Sequence, residues 1–396
     1  MAATLRHPRR RAHDLPGQAA EHAQVEARHG AARAAMTHGR SLIDAAWANL
    51  LTEHEGKLEL PGGLLMRSGP RDYVGTVLAI TGTLYYKGGY TTQVREAICA
   101  CFDQYVATIG DQLRWLIKDE TKPVQFNRSK PLRDWLLKLD PDDSPLFAYT
   151  GGNKPEDASA FEFYTGNLRQ WQEQRSWGLN ALRFSVPLKF IAQHPSTFQH
   201  LFVDFARRLR AEHGHGGYGF VLSLMGDADA PTEAYMSQKL HGADVGDPTS
   251  IARKVLDGIK TVSWLTAINH SMLQQLDGGT GLDALRNELP GDWFAYYDYG
   301  AGTVIQAGPV PQIASVDDDP MPATYVLVNH LLKRFRSTTL KDFHGATLGG
   351  EPFLGVVGTA QWLRRFDIPD EDLVTYQAKL LNMPKLKPDT VLPEPL

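Results

Sequence analysis

The chain has 396 residues, of which 42% are apolar and 22% charged, and a formal net charge of −4. That profile fits a soluble globular protein with ample length for a core, and no run of about 18 apolar residues offers a membrane span. Cys99 and Cys101, the two cysteines, are too few for a disulfide framework or a structural zinc site, so they read as packing residues in a reducing compartment. The charge is uneven: residues 1–35 carry six arginines against three acids, which leaves the remainder acidic. An acidic body argues against nucleic-acid binding by the folded part and suits a basic partner.

In chain order, residues 1–38 read as a disordered basic tail, or as text ahead of a true start at Met36. No apolar stretch follows the arginines, so no secretory signal is expected. Residues 41–51 form a short amphipathic helix, and 58–63 a strand end and turn. Leu78, Ile80, Leu84 and Tyr86 alternate with Ala79, Thr81, Thr83 and Tyr85, which predicts a strand with one buried face. A long helix is expected over 92–118, with Val94, Ile98, Cys101, Phe102, Tyr105, Ile109, Leu113 and Leu116 inside. Five prolines break the pattern between 119 and 180, leaving a helical piece at 132–139 and short strands near 147 and 161.

Leu182, Phe184, Val186, Leu188 and Phe190 then alternate strictly, with Pro187 suggesting an edge position or a bulge. A helix capped by Ser196 and stopped by Gly214 leads to a return strand at 219–224. The strand-then-helix order thus occurs twice, at 76–118 and 182–213. Next, Ile251, Val255, Ile259, Val262, Leu265, Ile268, Met272 and Leu276 follow steps of three and four, which predicts one long helix ended by Gly278 and Gly279. A short helix over 282–289 follows, then a hairpin, 293–299 and 303–307, joined by Gly300-Ala301-Gly302. Helices are expected over 325–335 and 359–366, and a loose proline-rich tail over 384–396.

The texts VSWLTAINHSMLQQLDGG at 262–279 and GTVIQAGPVPQIASV at 302–316, with Gly-Tyr-Gly-Phe at 217–220, carry a resemblance. Over roughly 58–366 the chain resembles the bacterial type VI secretion immunity family associated with nuclease toxins of the VRR-NUC type. The family often has Gly-Asp after its Pro-x-Pro segment, where this chain has Ser315-Val316-Asp317. The resemblance implies a cytoplasmic protein that catalyses nothing and neutralises a cognate toxin by occluding its substrate groove.

Catalytic text is hard to find. No phosphate-binding GxxxxGK[ST] loop is present, and no helix follows Gly300-Ala301-Gly302. His213, His215 and Glu212 could ligate zinc, which keeps a metal-dependent enzyme with a scattered site as an alternative. A cytosolic adaptor is the other. Asp142-Asp143 and Asp317-Asp318-Asp319 lack the glycine geometry of a calcium loop.

The expected fold is α+β: a mixed or antiparallel sheet with long amphipathic helices packed on it. It forms one large domain over 39–383, with 58–178 and 179–366 as optional halves. The expected partner-binding residues are Tyr297, Asp298 and Tyr299 on the hairpin, and Asp317, Asp318 and Asp319 after it, as aromatic anchors beside charges that face a basic cleft. No cofactor, membrane contact or direct nucleic-acid contact is expected.

Overall fold

A computed structural model describes residues 59–66, 68–118, 121–224, 227–276, 281–314, 321–345 and 351–393. The expectations placed on 1–38, on 41–51 and on Gly278 and Gly279 lie outside the described residues. One antiparallel sheet dominates. Its strands are β1 (Glu59–Gly62), β2 (Arg71–Tyr86), β3 (Trp115–Lys118), β4 (Val124–Gln125), β5 (Leu146–Thr150), β6 (Glu162–Gly166), β7 (Asn180–Val186), β8 (His213–Leu222), β9 (Leu265–Asn269), β10 (Phe294–Asp298) and β11 (Gly302–Ala307). The order across the sheet is β10-β11-β9-β8-β2-β7-β6-β5-β3-β4, and β1 pairs with β2 alongside β7. Seven helices matter below: α1 (Thr92–Ile109), α2 (Thr197–Leu209), α3 (Pro248–Ala252), α4 (Leu282–Glu288), α5 (Ala323–Leu332), α6 (Val356–Leu363) and α7 (Leu373–Leu380). The fold is α+β, as the sequence implies.

The two long helices, α1 and α2, pack on each other against one face of the sheet. That face is apolar. Ile80 and Leu84 of β2, Leu182, Phe184 and Val186 of β7, and the rings of Phe102, Tyr105, Phe198, Phe202 and Phe205 belong to one buried cluster. Two glycines allow the close approach. A Cβ on Gly82 would fall 2.6 Å from the Phe184 ring, and one on Gly216 would fall 3.2 Å from Phe202.

The opposite face of the central strands is equally covered but polar. It presents Glu162 and Tyr164 from β6, Arg183 from β7, Tyr85 from β2 and His213 and His215 from β8. All six have at most 6% of their surface exposed. Segments 244–262, 335–345 and 351–366 cover this face. The alternation in β7 therefore sorts Leu182, Phe184 and Val186 correctly, yet both faces of β2 and β7 are buried.

Several elements differ from expectation. α1 stops at Gly110, whose φ of 65° and N–H bond to Val106 O end the helix. Residues Trp115–Lys118 become β3 instead. Pro187 does not mark an edge: β7 lies between β2 and β6 and ends one residue earlier. Ser196 precedes α2 with φ of 59° and makes no side-chain cap, and Arg210, not Gly214, takes the left-handed stop, because Gly214 is inside β8.

The largest correction concerns 251–276. There is no long helix: α3 ends at Ala252, β9 begins at Leu265, and only His270–Leu273 is helical after it. The backbone of Ile259 bonds instead to the segment beside it, its N–H to Phe335 O and its carbonyl to Ser337 N, and Gly258 allows that approach, since a Cβ there would sit 2.2 Å from Phe335 O.

The proline-rich end is not loose as far as it is described. Thr390 O accepts from Gln199 Nε2 (3.1 Å) and Gln306 Nε2 (2.8 Å), Leu386 N bonds to Asp292 O, and Leu392 is buried.

Candidate partner-binding surface

The hairpin residues expected to meet a partner divide sharply. Gly300 takes φ of 82° at the turn, and its N–H donates to Asp298 Oδ1 at 2.7 Å. Asp298 is thus an exposed turn residue. Tyr297 and Tyr299 are core, at 7% and 1% exposure. Tyr297 donates its hydroxyl to Gln306 Oε1 at 2.6 Å, and Tyr299 donates to Ala211 O at 2.9 Å. Trp293 is also buried, with its Nε1 donating to Met383 O. These polar tips fasten the hairpin to the sheet and to the C-terminal segment. They are seams of the fold, not free anchors. Asp317, Asp318 and Asp319 lie outside the described residues.

His213 and His215 share the polar face of β8 but are already engaged. His213 Nε2 donates to Val255 O at 3.0 Å, and burial pulls its pKa down to about 4. His215 Nε2 lies 2.9 Å from Asp244 Oδ2. Asp244 also takes Lys260 Nζ at 2.6 Å, while Val245 O accepts from the same ammonium at 2.5 Å. Burial alone would raise the Asp244 carboxyl, but His215 and Lys260 outweigh it and hold it well below the carboxylate range. Phe343 and Trp362 enclose the Lys260 head, with ring centres 5.4 and 5.6 Å away. Among the described residues no group of three or more His, Cys, Asp or Glu is placed to hold a metal ion. Nor is any helix there long and apolar enough to cross a membrane.

Beside this buried cluster, where β8 ends at Leu222, the polar face opens into a cleft of about 800 Å³. Its floor holds Tyr164 and Arg183. Arg183 grips Glu162 Oε1 with Nε (2.9 Å) and Nη2 (2.7 Å), and both side chains are nearly inaccessible. Burial pushes the Glu162 carboxyl up against the pull of Arg183. Asp247 starts α3, accepting from Ser250 N (2.7 Å) and from the Tyr164 hydroxyl (2.9 Å). This is ordinary N-cap chemistry put to a second use at the cleft wall.

The outer rim is pinned from both sides. His344 accepts at Nδ1 from Leu354 N, which places its proton on Nε2, donated to Glu233 Oε2 at 2.6 Å. Glu233 Oε1 accepts from Gly246 N at 2.8 Å. Lys254 pairs with Asp342, which is about half exposed. Thr359 of α6 donates to Leu354 O and accepts from Phe343 N.

Just above this rim stand Phe353, Val356 and Val357, at 43%, 62% and 72% exposure. Three apolar side chains left in solvent beside a polar cleft form the kind of patch that marks an interaction site. Sequence reasoning found none of these rim residues. Lys260, a charge set between Ile259 and Val262, was the one legible sign that the polar face of the sheet is buried.

Asp298 and the cleft lie on different parts of the sheet: Asp298 pairs with Thr303 of β11, and β9, β8 and β2 stand between β11 and β7, whose Arg183 lines the cleft.

A family model described as type VI immunity for VRR-NUC matches residues 97–366. Among solved structures, the Pseudomonas aeruginosa T6SS protein PA0821 is 41% identical, with a TM-score of 0.83 over 89% of this chain and 99% of that one. No curated protein matches the chain.

Proposed function

This chain belongs to the type VI immunity family for VRR-NUC, and from that premise we propose that it binds and neutralises a cognate VRR-NUC-type nuclease toxin without catalysing a reaction. The observation that carries the reading is the family match, which spans 97–366. The side-chain chemistry supports it. The most buried acids of the polar face are each locked to a partner: Glu162 to Arg183, Asp244 to Lys260, and Glu233 to His344. General acid–base work needs a group that can reach substrate and change protonation. Carboxylates held in buried internal pairs serve the fold instead.

The mechanism is occlusion. A nuclease must present basic groups to hold a polyanion, and an acidic inhibitor competes for those groups while steering association. Asp298, and Asp317 to Asp319 beyond the described residues, enter this reading as steering charges. The protein acts in the cytoplasm of the cell that carries it, where an incoming nuclease meets DNA or RNA.

The test is co-expression in a susceptible bacterium with the nuclease encoded beside its gene, followed by a pull-down. Growth rescue with a stable complex is expected. Loss of growth with both proteins soluble and no complex would overturn the reading.

A further inference from the structure

The cleft and its apolar rim offer a more specific assignment, which rests on the immunity reading. We propose that the cleft between β6–β7 and the segment around Asp342 and Phe353 is the docking surface for a basic, nucleic-acid-binding segment of the toxin. Val356 and Val357 supply the apolar contact beside it.

Charge selects the occupant. Three carboxylates that line the cleft, Glu233, Asp247 and Asp342, stand against the two permanent cations Arg183 and Lys254. Arg183 is already neutralised from behind by Glu162. His344 turns its Nε2 inward to Glu233 and its Nδ1 to Leu354 N, so it is engaged with the wall and not with a guest. The cleft is therefore negative, and a lysine or arginine of the partner is the complementary guest. Carboxylate oxygens accept more than one hydrogen bond. Asp342 leaves 46% of its side chain exposed while it holds Lys254, so it can take a second cation.

The walls are built to stay open. Glu233, Asp247 and His344 are each fixed by two or more hydrogen bonds. Trp362 roots α6 in the buried cluster around Lys260. A guest meets preorganised acceptors and spends little on ordering them. The rim supplies what charge alone lacks, because desolvated apolar contacts slow release whereas charge mainly speeds encounter.

A rival surface exists on α7, where Val374 and Leu381 are each 71% exposed on one face. It lies outside the family-matched region 97–366, whereas the rim and, apart from Met66, the cleft lining lie within it. The family's shared text thus covers the cleft and not its rival.

The experiment measures binding of the full chain to a catalytically inactive form of the nuclease encoded beside its gene. Three variants are compared with wild type: the double change Val356→Lys with Val357→Lys, the single change Asp342→Lys, and the double change Val374→Lys with Leu381→Lys on α7. The first two should weaken the Kd by on the order of 30-fold or more, as for a hot spot, and the third by less than about threefold. Wild-type binding should weaken as salt rises, and Asp342→Lys should flatten that dependence. Should Asp342→Lys melt early, the rim pair, which is solvent-facing, decides the matter. Wild-type binding with undiminished binding by the rim pair overturns the cleft assignment alone. A wild-type chain that binds no nuclease overturns the immunity reading and the cleft with it.

Discussion

Replacing Asp244 by Asn removes the negative charge against which a buried lysine rests. Lys260 has 1% of its side chain exposed, and its ammonium is held by Asp244 Oδ1 and Val245 O. In the variant both acceptor oxygens can remain, so the change isolates charge from hydrogen bonding. Breaking a buried ion pair from one side costs about 3–5 kcal/mol. There is also a ceiling, since the lysine can shed its proton. Neutralising it at pH 7 costs about 1.36 kcal/mol for each of the roughly 3.4 pH units below its ordinary value, or about 4.6 kcal/mol. At pH 9 the same ceiling is about 1.9 kcal/mol. Urea unfolding of wild type and variant at both pH values gives the assay. The gap should be about 3–4.6 kcal/mol at pH 7 and should shrink below about 2 kcal/mol at pH 9. Adding Lys260→Met should recover most of the loss, because the orphaned charge is gone. A gap under about 1 kcal/mol at pH 7, or one that does not change by pH 9, would refute the reasoning.

Two further outcomes are expected. Burial holds His213 at a pKa of about 4, below its unfolded value, so the unfolded chain takes up the proton first and stability falls as pH drops from about 6.5 toward 4, by roughly 3 kcal/mol in full. His213→Gln keeps a donor for Val255 O and should flatten the fall measured between pH 7 and 4.5; parallel curves would disprove the assignment. Ending the chain after Met383 removes the burial of Leu392 and the bonds of Gln199 and Gln306 to Thr390. Equilibrium unfolding should show a loss of about 2–4 kcal/mol, and a change under about 0.5 kcal/mol would mean that this segment does not contribute.

Where one face of an element is apolar and the other is not, the sequence was readable. Leu182, Phe184 and Val186 sort from Arg183 and Ser185 as the structure sorts them, and the hairpin ending near Tyr299 falls where Gly300 to Gly302 put it. Where everything is buried, period loses its meaning. Ile251, Val255, Ile259, Val262, Leu265 and Ile268 are all in the core, but a strand buried on both faces and a turn pressed on the sheet satisfy the same spacing as a helix. The same ambiguity hid the surface. Tyr297 and Tyr299 look like anchors because aromatic residues favour interfaces, yet their hydroxyls reach inward to Gln306 and Ala211. The cleft was invisible for another reason. Tyr164, Arg183, Glu233, Asp247 and His344 come from five separate segments, two on neighbouring strands and three on elements packed over them, and only the tertiary fold brings them together.

The position of β2 has a consequence for time. Its residue Ile80 is paired on one side with Val186 and on the other with Tyr218, so the middle of the sheet cannot close until β8, ending at Leu222, has been synthesised. At roughly 5–20 residues per second, the ribosome needs on the order of 10 s to travel from the end of β2 to that point. Throughout that interval a sixteen-residue strand, apolar on one side, lacks at least one of its two neighbours. A newly made copy therefore has neither a closed sheet nor the cleft lined by Leu222 until that interval has passed.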